Sequence, residues 1–328
     1  RLGVKLEPCG EKLKSMYQVF IDGKEGTTGL QIFEKLQARN DIEILQIDSQ
    51  KRKIEAEKRE IIREADLVIL CLPDESSRAV VQANADMPAK FIDASTAYRT
   101  DPNWTYGLPE LSRLQTDTIK NSKYVSNPGC YPTGFLMLVK PLIEQGILEK
   151  NNILSISAIS GYSGGGRKLI ERYDQPDSAK VSARLYGLNM AHKHLPEMTK
   201  YSGLRSEPLF LPIVGNFYRG MTVSVPLRKE MFIGEVSIKN IHEVLSTAYE
   251  PYSNIKVLEL NDDAQLEKGF LNPQVVKGTD RLEIFVYGHD DQMVLISRLD
   301  NLGKGASGAA AQNLNLMLGF PEYRGLAL

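Results

Sequence analysis

Cysteine is scarce in this chain. Three thiols in 328 residues, at positions 9, 71 and 130, are odd in number and far apart. That spacing excludes a disulfide framework or thiolate-rich metal knot and suits a reducing, cytoplasmic setting. Net charge is missing too: 40 lysines and arginines against 41 aspartates and glutamates leave −1. No surface for nucleic acid or anionic membrane is therefore expected. Long apolar runs are absent, the longest being Leu67 to Leu72, far short of the ~20 residues that span a bilayer. The opening RLGVKLEPCGEKLKS has no apolar core of the kind a secretory signal needs. Residues 1–15 read as a leader or tag-derived extension, Cys9 included, and are set apart from the fold. No repeat or low-complexity tract follows.

What is present is periodicity. Hydrophobic residues make up 42% of the chain, enough for a sizeable core and two domains. After Met16, YQVFID, IEILQID, ADLVILCLP and KFIDAS read as strands. LQIFEKLQAR and ESSRAVVQANA read as helices between them, and KRKIEAEKREIIREA as a helix or helical loop. Strands alternating with helices predict an α/β, Rossmann-type parallel sheet that binds its ligand beyond the carboxyl ends of its strands. Beyond residue 130, NNILSISAISGYSGGG, RGMTVSVPLR, GEVSIKN, IKVLEL and RLEIFVYGHDDQMVLISRLD predict an α+β domain with a mostly antiparallel sheet. IHEVLSTAYEPY is a helix among them, and GASGAAAQNLNLMLGF a closing helix returning to the first domain. The expected division is 16–129, completed by 303–328, and 130–302.

Directly after the first strand, GKEGTTG places Gly23, Gly26 and Gly29 before a helix. Glycines there let backbone approach a pyrophosphate whose charge meets the helix N-terminus. The GxxGxxG spacing is weak alone, and its strand–turn–helix setting strengthens it. Asp48, ending the second strand, suits the ribose hydroxyl of NAD, whereas Lys51 and Arg52 suit the 2′-phosphate of NADP. Chemistry alone leaves both open.

SNPGCYPTG sets Cys130 at the threshold of a helix, where unpaired amides and the helix dipole favour thiolate. Pro132 suits the first turn, while Pro141 is expected to kink or interrupt the helix. Cys71, within a strand, reads as an inert core thiol. A nucleophilic cysteine needs a proton partner, and AHKHLPEM supplies His192 and His194, the latter at a loop–helix junction. No further ligands accompany them, so no metal is expected. His242 and His289 read as surface or turn residues. SGYSGGGR, Ser160 to Arg167, suits a phosphate held on backbone amides, and Arg219 opens another strand.

Taken together, GKEGTTG, DASTAYR, SNPGCYPTG, SGYSGGGR, HKHLPEM, LPIVGNFYRGM and DNLGKGASGAAAQNLNLMLGFPE resemble N-acetyl-gamma-glutamyl-phosphate reductase in its shorter, type 2 form. The likeness runs from Met16 to the end. Aspartate-semialdehyde dehydrogenase belongs to the wider superfamily. The resemblance implies NADPH-dependent reduction of N-acetyl-γ-glutamyl phosphate to the semialdehyde and phosphate, in arginine biosynthesis, through a thioester on Cys130. It implies that the His192/His194 pair supplies the acid/base, His194 favoured, and it favours NADP and so Lys51 and Arg52. Gly23, Gly26, Thr27, Thr28 and Gly29 would hold the cofactor, with Asn301 and Gly305 closing over the nicotinamide. Asn127, Ser160, Gly161, Arg167, Glu197 and Arg219 would meet substrate. A homodimer or homotetramer is expected. The sibling alternative is a reductase of another acyl phosphate, aspartyl phosphate among them; a thiol hydrolase and a non-catalytic nucleotide sensor are more distant rivals.

Overall fold

The computed structural model describes residues 14–48, 50–52, 54–175, 177 and 182–328. Cys9 lies outside them, and of the 1–15 segment Lys14 is seen paired with Asp66.

Apolar β-branched runs form the first sheet. Its early members are β1 (Tyr17–Asp22), β2 (Ile42–Leu45), β3 (Leu67–Leu70) and β4 (Lys90–Asp93). β5 (Thr105–Tyr106) and β6 (Tyr124–Ser126) complete it. All pairings are parallel, in the order β2-β1-β3-β4-β6-β5. Helices α1 (Thr27–Gln37), α2 (Glu55–Glu64), α3 (Asp74–Ala83) and α4 (Gln115–Lys120) connect the strands. The strand order reverses between β1 and β3, so the glycine loop and the Cys71–Pro73 turn face one crevice, where such sheets bind ligands.

The second domain begins with α5 (Cys130–Glu144), a helix buried along nearly its whole length. β7 (Ser155–Gly161), α6 (Arg167–Tyr173), β8 (Arg184–Leu185), α7 (Leu195–Ser202), β9 (Leu209–Gly215) and β10 (Met221–Arg228) follow. Then come α8 (Ile238–Tyr249), β11 (Ile255–Val257) and the hairpin β12 (Leu282–His289) and β13 (Gln292–Leu299). The sheet order is β11-β12-β13-β10-β7-β9-β8, antiparallel except for β11/β12 and β7/β9. Leu136, Val139 and Leu142 of α5 pack with Val223 and Leu295 of this sheet and with Ile241 and Leu245 of α8.

Two sequence expectations need correcting. Pro141 does not interrupt α5, which runs on to Glu144. A proline deprives the carbonyl four residues earlier of its amide, and here the Tyr249 hydroxyl donates to that Met137 carbonyl at 2.8 Å. GEVSIKN is not extended: the Ser237 hydroxyl accepts from the Asn240 amide and the helix starts at Ile238. Capping chemistry outweighs the local β pattern there.

The chain ends as expected, in a π-turn at Gly303–Ser307 and then α9 (Gly308–Leu318), closed by Gly319 in the left-handed region. Leu314, Met317 and Leu318 join Val19, Ile21, Leu67 and Ile69 in the core of the first domain. Behind the π-turn, Lys304 is fully buried and pairs with Glu110 at 2.7 Å and Gln312 at 2.8 Å.

Candidate active site

Cys130 is the first residue of α5, facing the crevice at the junction of the two domains. Two glycines bring backbone against it. A Cβ on Gly305 would lie 2.8 Å from Cys130 Cβ, and one on Gly129 would lie 2.8 Å from Arg99 Nη1, Glu197 Oε1 and His194 Nε2 alike. The thiol, a charged pair and an imidazole therefore meet around one turn.

Electrostatics there differ from the sequence expectation. Burial pushes the Cys130 thiol up to about 11, although the Arg99 charge and the Tyr131 amide pull the other way. The resting group is a thiol, because desolvation outweighs the helix N-terminus. Burial also drives His194 well below its usual value, reinforced by Arg99, His192 and Lys193. His194 is accordingly a neutral base beside a protonated sulfur. Its backbone amide donates to His192 Nδ1 at 3.2 Å, and its own Nδ1 is buried without a partner. His192 is held to about 4 by burial and Lys193. It stands edge-on to Tyr131 and Phe210. His194 is the nearer to the Cys130 turn, and His192 fixes its backbone. The other two histidines are remote: His242 bonds the Leu258 carbonyl at 2.7 Å, and His289 is exposed at the β12–β13 hairpin.

A saturated network lies behind the thiol. Arg99 donates to the Asn127 carbonyl at 2.9 Å and to Glu197 at 2.8 Å. Glu197, 1% exposed, also accepts from the Tyr106 hydroxyl at 2.8 Å and the Gly129 amide at 3.2 Å. Its oxygens are spent on the Cys130 turn rather than offered to a ligand. Asn127 and Asn301 are similarly engaged. Asn127 donates to the Ala306 carbonyl at 3.0 Å, while Asn301 accepts from the Gly220 amide at 2.8 Å and donates to Ser163 at 2.9 Å. Both still line the cavity at Cys130.

The cofactor cleft is continuous with this cavity. A hollow of about 670 Å³ beside Asp22–Gly26 is lined by Arg52 and Lys58. It adjoins one of about 360 Å³ along Gly26–Gly29, and Thr27 and Thr28 carry it to Cys130, His194 and Gly305. The loop geometry fits a dinucleotide. Gly23 has φ +86° and abuts the Cys71 carbonyl, and a Cβ on Gly29 would come within 2.8 Å of Lys24 Cα, so side chains would fill the cradle. Of the two sequence candidates for the 2′-phosphate, only Arg52 lines the cleft. Lys51 turns to Glu57 at 3.1 Å, and Lys58, in an ion pair with Asp22 at 2.6 Å, takes its place. The Asp48 carboxylate accepts from the Gln50 amide at 2.8 Å, closing its own turn. Cys71 sits on the cleft wall, its thiol pushed up to about 12 by burial, Asp93 and Asp22.

On the other side of Cys130, a cavity of about 610 Å³ is lined by Ser160, Gly161 and both site histidines. Neither arginine singled out for substrate reaches it. Arg167 donates to the Glu25 carbonyl at 2.9 Å, over the cofactor loop, and Arg219 pairs with buried Asp300 at 2.6 Å. Arg99, Lys193 and Lys58 were missed as site residues. Arg99 ends the quoted DASTAYR and Lys193 separates the histidines, so position beside a motif was their only signal.

Models of the semialdehyde dehydrogenase family match twice: its NAD binding domain at residues 18–119 and its dimerisation domain at 130–301. An N-acetyl-gamma-glutamyl-phosphate reductase 2 of Nostoc is 46% identical over 94% of this chain and 99% of its own length. One of Pseudomonas putida is 44% identical over 94% and 98%. The chain belongs to the N-acetyl-gamma-glutamyl-phosphate reductase branch of the semialdehyde dehydrogenase family. Members of this family are oxidoreductases, and residues 18–119 match its NAD binding domain. Among solved structures, aspartate semialdehyde dehydrogenase II of Vibrio cholerae, in complex with ASA, superposes with TM-score 0.68 at 15% identity, covering 93% of this chain and 99% of that one. The Candida albicans enzyme with NADP gives 0.61 at 15%, over 92% and 98%. These share the fold. No helix among the described residues is long and apolar enough to cross a membrane.

Proposed function

We propose that this chain reduces N-acetyl-γ-glutamyl phosphate to N-acetylglutamate 5-semialdehyde and phosphate, with Cys130 carrying the acyl group. The observation that carries this reading is the meeting of Cys130, neutral His194 and the end of the dinucleotide cleft at one turn. His194 accepts the Cys130 proton as sulfur attacks the acyl carbon, then returns it to the departing phosphate. A thioester and HPO₄²⁻ result. The glycine loop with Arg52 and Lys58 would hold NADPH, which when bound would supply the hydride that reduces the thioester. The Tyr131 amide at the start of α5 bonds the Cys130 sulfur and favours its charged form as the thiolate leaves. Collapse releases the aldehyde and a Cys130 thiolate, which is reprotonated.

Residues 16–129 with 303–328 serve as the cofactor domain and 130–302 as the catalytic and pairing domain of a cytoplasmic homodimer or homotetramer. The dimerisation model over 130–301 supports the pairing role. The decisive assay runs backwards: N-acetylglutamate semialdehyde, phosphate and NADP should yield NADPH, and aspartate semialdehyde should not. Reversed preference would favour the aspartyl-phosphate reading. In the free enzyme, iodoacetamide labelling of Cys130 should rise through about pH 11. Rapid labelling at neutral pH would contradict the resting thiol.

A further inference from the structure

The 610 Å³ cavity beside Cys130 has an unequal charge. Lys168 and Arg172 of α6, Arg184 of β8 and Lys193 all line it, and none of its seventeen lining residues is acidic. Glu197, the nearest buried carboxylate behind the Cys130 turn, is turned to Arg99, Tyr106 and the Gly129 amide instead. Among the described residues, the side chains of Lys168, Arg172 and Arg184 make no hydrogen bond or ion pair. Lys168 and Arg172 stand four apart on α6, where like charges repel across one helical turn. Lys193 also faces Asp74 across the neighbouring cleft, but Lys168, Arg172 and Arg184 converge from α6 and β8 on one hollow whose lining holds no carboxylate.

We infer that Arg172 and Arg184, with Lys168, form the subsite for the substrate's α-carboxylate and so select an N-acylated amino acid over a free one. The inference rests on the proposed reaction and deepens it. Lys193, nearer the thiol, is left for the phosphoryl group, since it also lines the smaller cavity at Cys130. A substrate with a free α-ammonium would bring a cation among these cations and find no carboxylate to receive it, a like-charge juxtaposition that rejects wrong partners. An amide-capped nitrogen removes that charge and leaves the carboxylate as the sole charge on the α-carbon. Planar guanidinium suits this bidentate task better than a lysine ammonium. Tyr173, Leu185, Tyr186 and Val214 also line the cavity and offer apolar surface suited to an acyl cap.

The test uses the full-length enzyme in the semialdehyde-oxidising direction, with phosphate and NADP. Arg184→Gln and Arg172→Gln should each lower kcat/KM for N-acetylglutamate semialdehyde about 10- to 100-fold, the range of a lost hydrogen bond to a charged group. The loss should fall on KM with kcat nearly kept, and NADPH binding should be unchanged. The α-carboxamide of the same semialdehyde should be a poor wild-type substrate that neither substitution worsens further. A wild-type KM in both variants would overturn the inference, as would equal losses for the carboxylate and carboxamide substrates. If the wild-type enzyme fails on N-acetylglutamate semialdehyde altogether, the proposed reaction itself falls. A reaction that proceeds without sensitivity to Arg172 and Arg184 sinks only the subsite.

Discussion

The two sides of Cys130 are built on opposite principles. Behind it, every charge has a protein partner: Arg99 is bonded to Glu197, and Glu197 to Tyr106 and the Gly129 amide. In front, Lys168, Arg172 and Arg184 surround a hollow without one anion. Buried charges must be compensated, so the rear network holds shape and has nothing left to bind with. Open charges are hydrated and cheap, so the front can wait for a ligand. The difference teaches where a substitution should be felt: as lost folding stability behind, as lost affinity ahead.

The sharpest way to break this comparison is at the thiol that divides the sides. Cys130→Ser should abolish reduction by at least about 10⁴-fold, as loss of a covalent nucleophile does. NADPH affinity, measured by fluorescence titration, should stay within about twofold. A parallel loss of cofactor binding would mean that Cys130 is structural. His194→Asn comes next, at about 10²- to 10⁴-fold in kcat, read by steady-state assay. An unaffected kcat would transfer the proton role to His192.

Arg99→Met against Arg184→Gln then sharpens the contrast directly. Removing Arg99 leaves Glu197 uncompensated and should cost about 3–5 kcal/mol in urea unfolding, whereas the exposed Arg184 should move stability by under about 0.5 kcal/mol. Equal effects would erase the distinction. The smallest effect is on acid stability. Because the folded protein holds His194 well below its usual 6.5, the unfolded chain binds the proton that the folded chain refuses. Stability is fully present above about pH 6.5 and declines as pH falls, by up to about 1.4 kcal/mol per unit. In His194→Asn the decline between pH 6.5 and 5 should flatten, and an unchanged slope would show that His194 is not the source.

Local pattern carried most of the first domain. Buried runs such as LVIL and FID announce strands, and a glycine loop between a strand and a helix announces its crevice. The thiol and its histidines were legible for the same reason, since their flanking prolines and glycine are local. Three kinds of information were not. Capping at Ser237 turned GEVSIKN from strand to helix start, a contest between neighbours that hydropathy does not weigh. Tyr249, more than a hundred residues from Met137, supplies the bond that lets α5 pass Pro141. And whether a guanidinium is spent or spare depends on its partner: Arg167 and Arg219 looked like Arg172 and Arg184 until Glu25 and Asp300 were seen beside the first two. The ionisation of Cys130 failed likewise, because burial is a property of the whole fold rather than of the turn.

The last helix carries a consequence in time. α9 supplies Leu314, Met317 and Leu318 to the core of the first domain, and the buried Lys304–Glu110 pair locks its approach. A nascent chain emerging from the ribosome therefore cannot finish its first sheet when that sheet has been made; an apolar flank stays wet until α9 has been read. Domains ordinarily mature in order of synthesis. This one must wait for α9, and a product released before Gly308 would leave that flank open to aggregation and proteases.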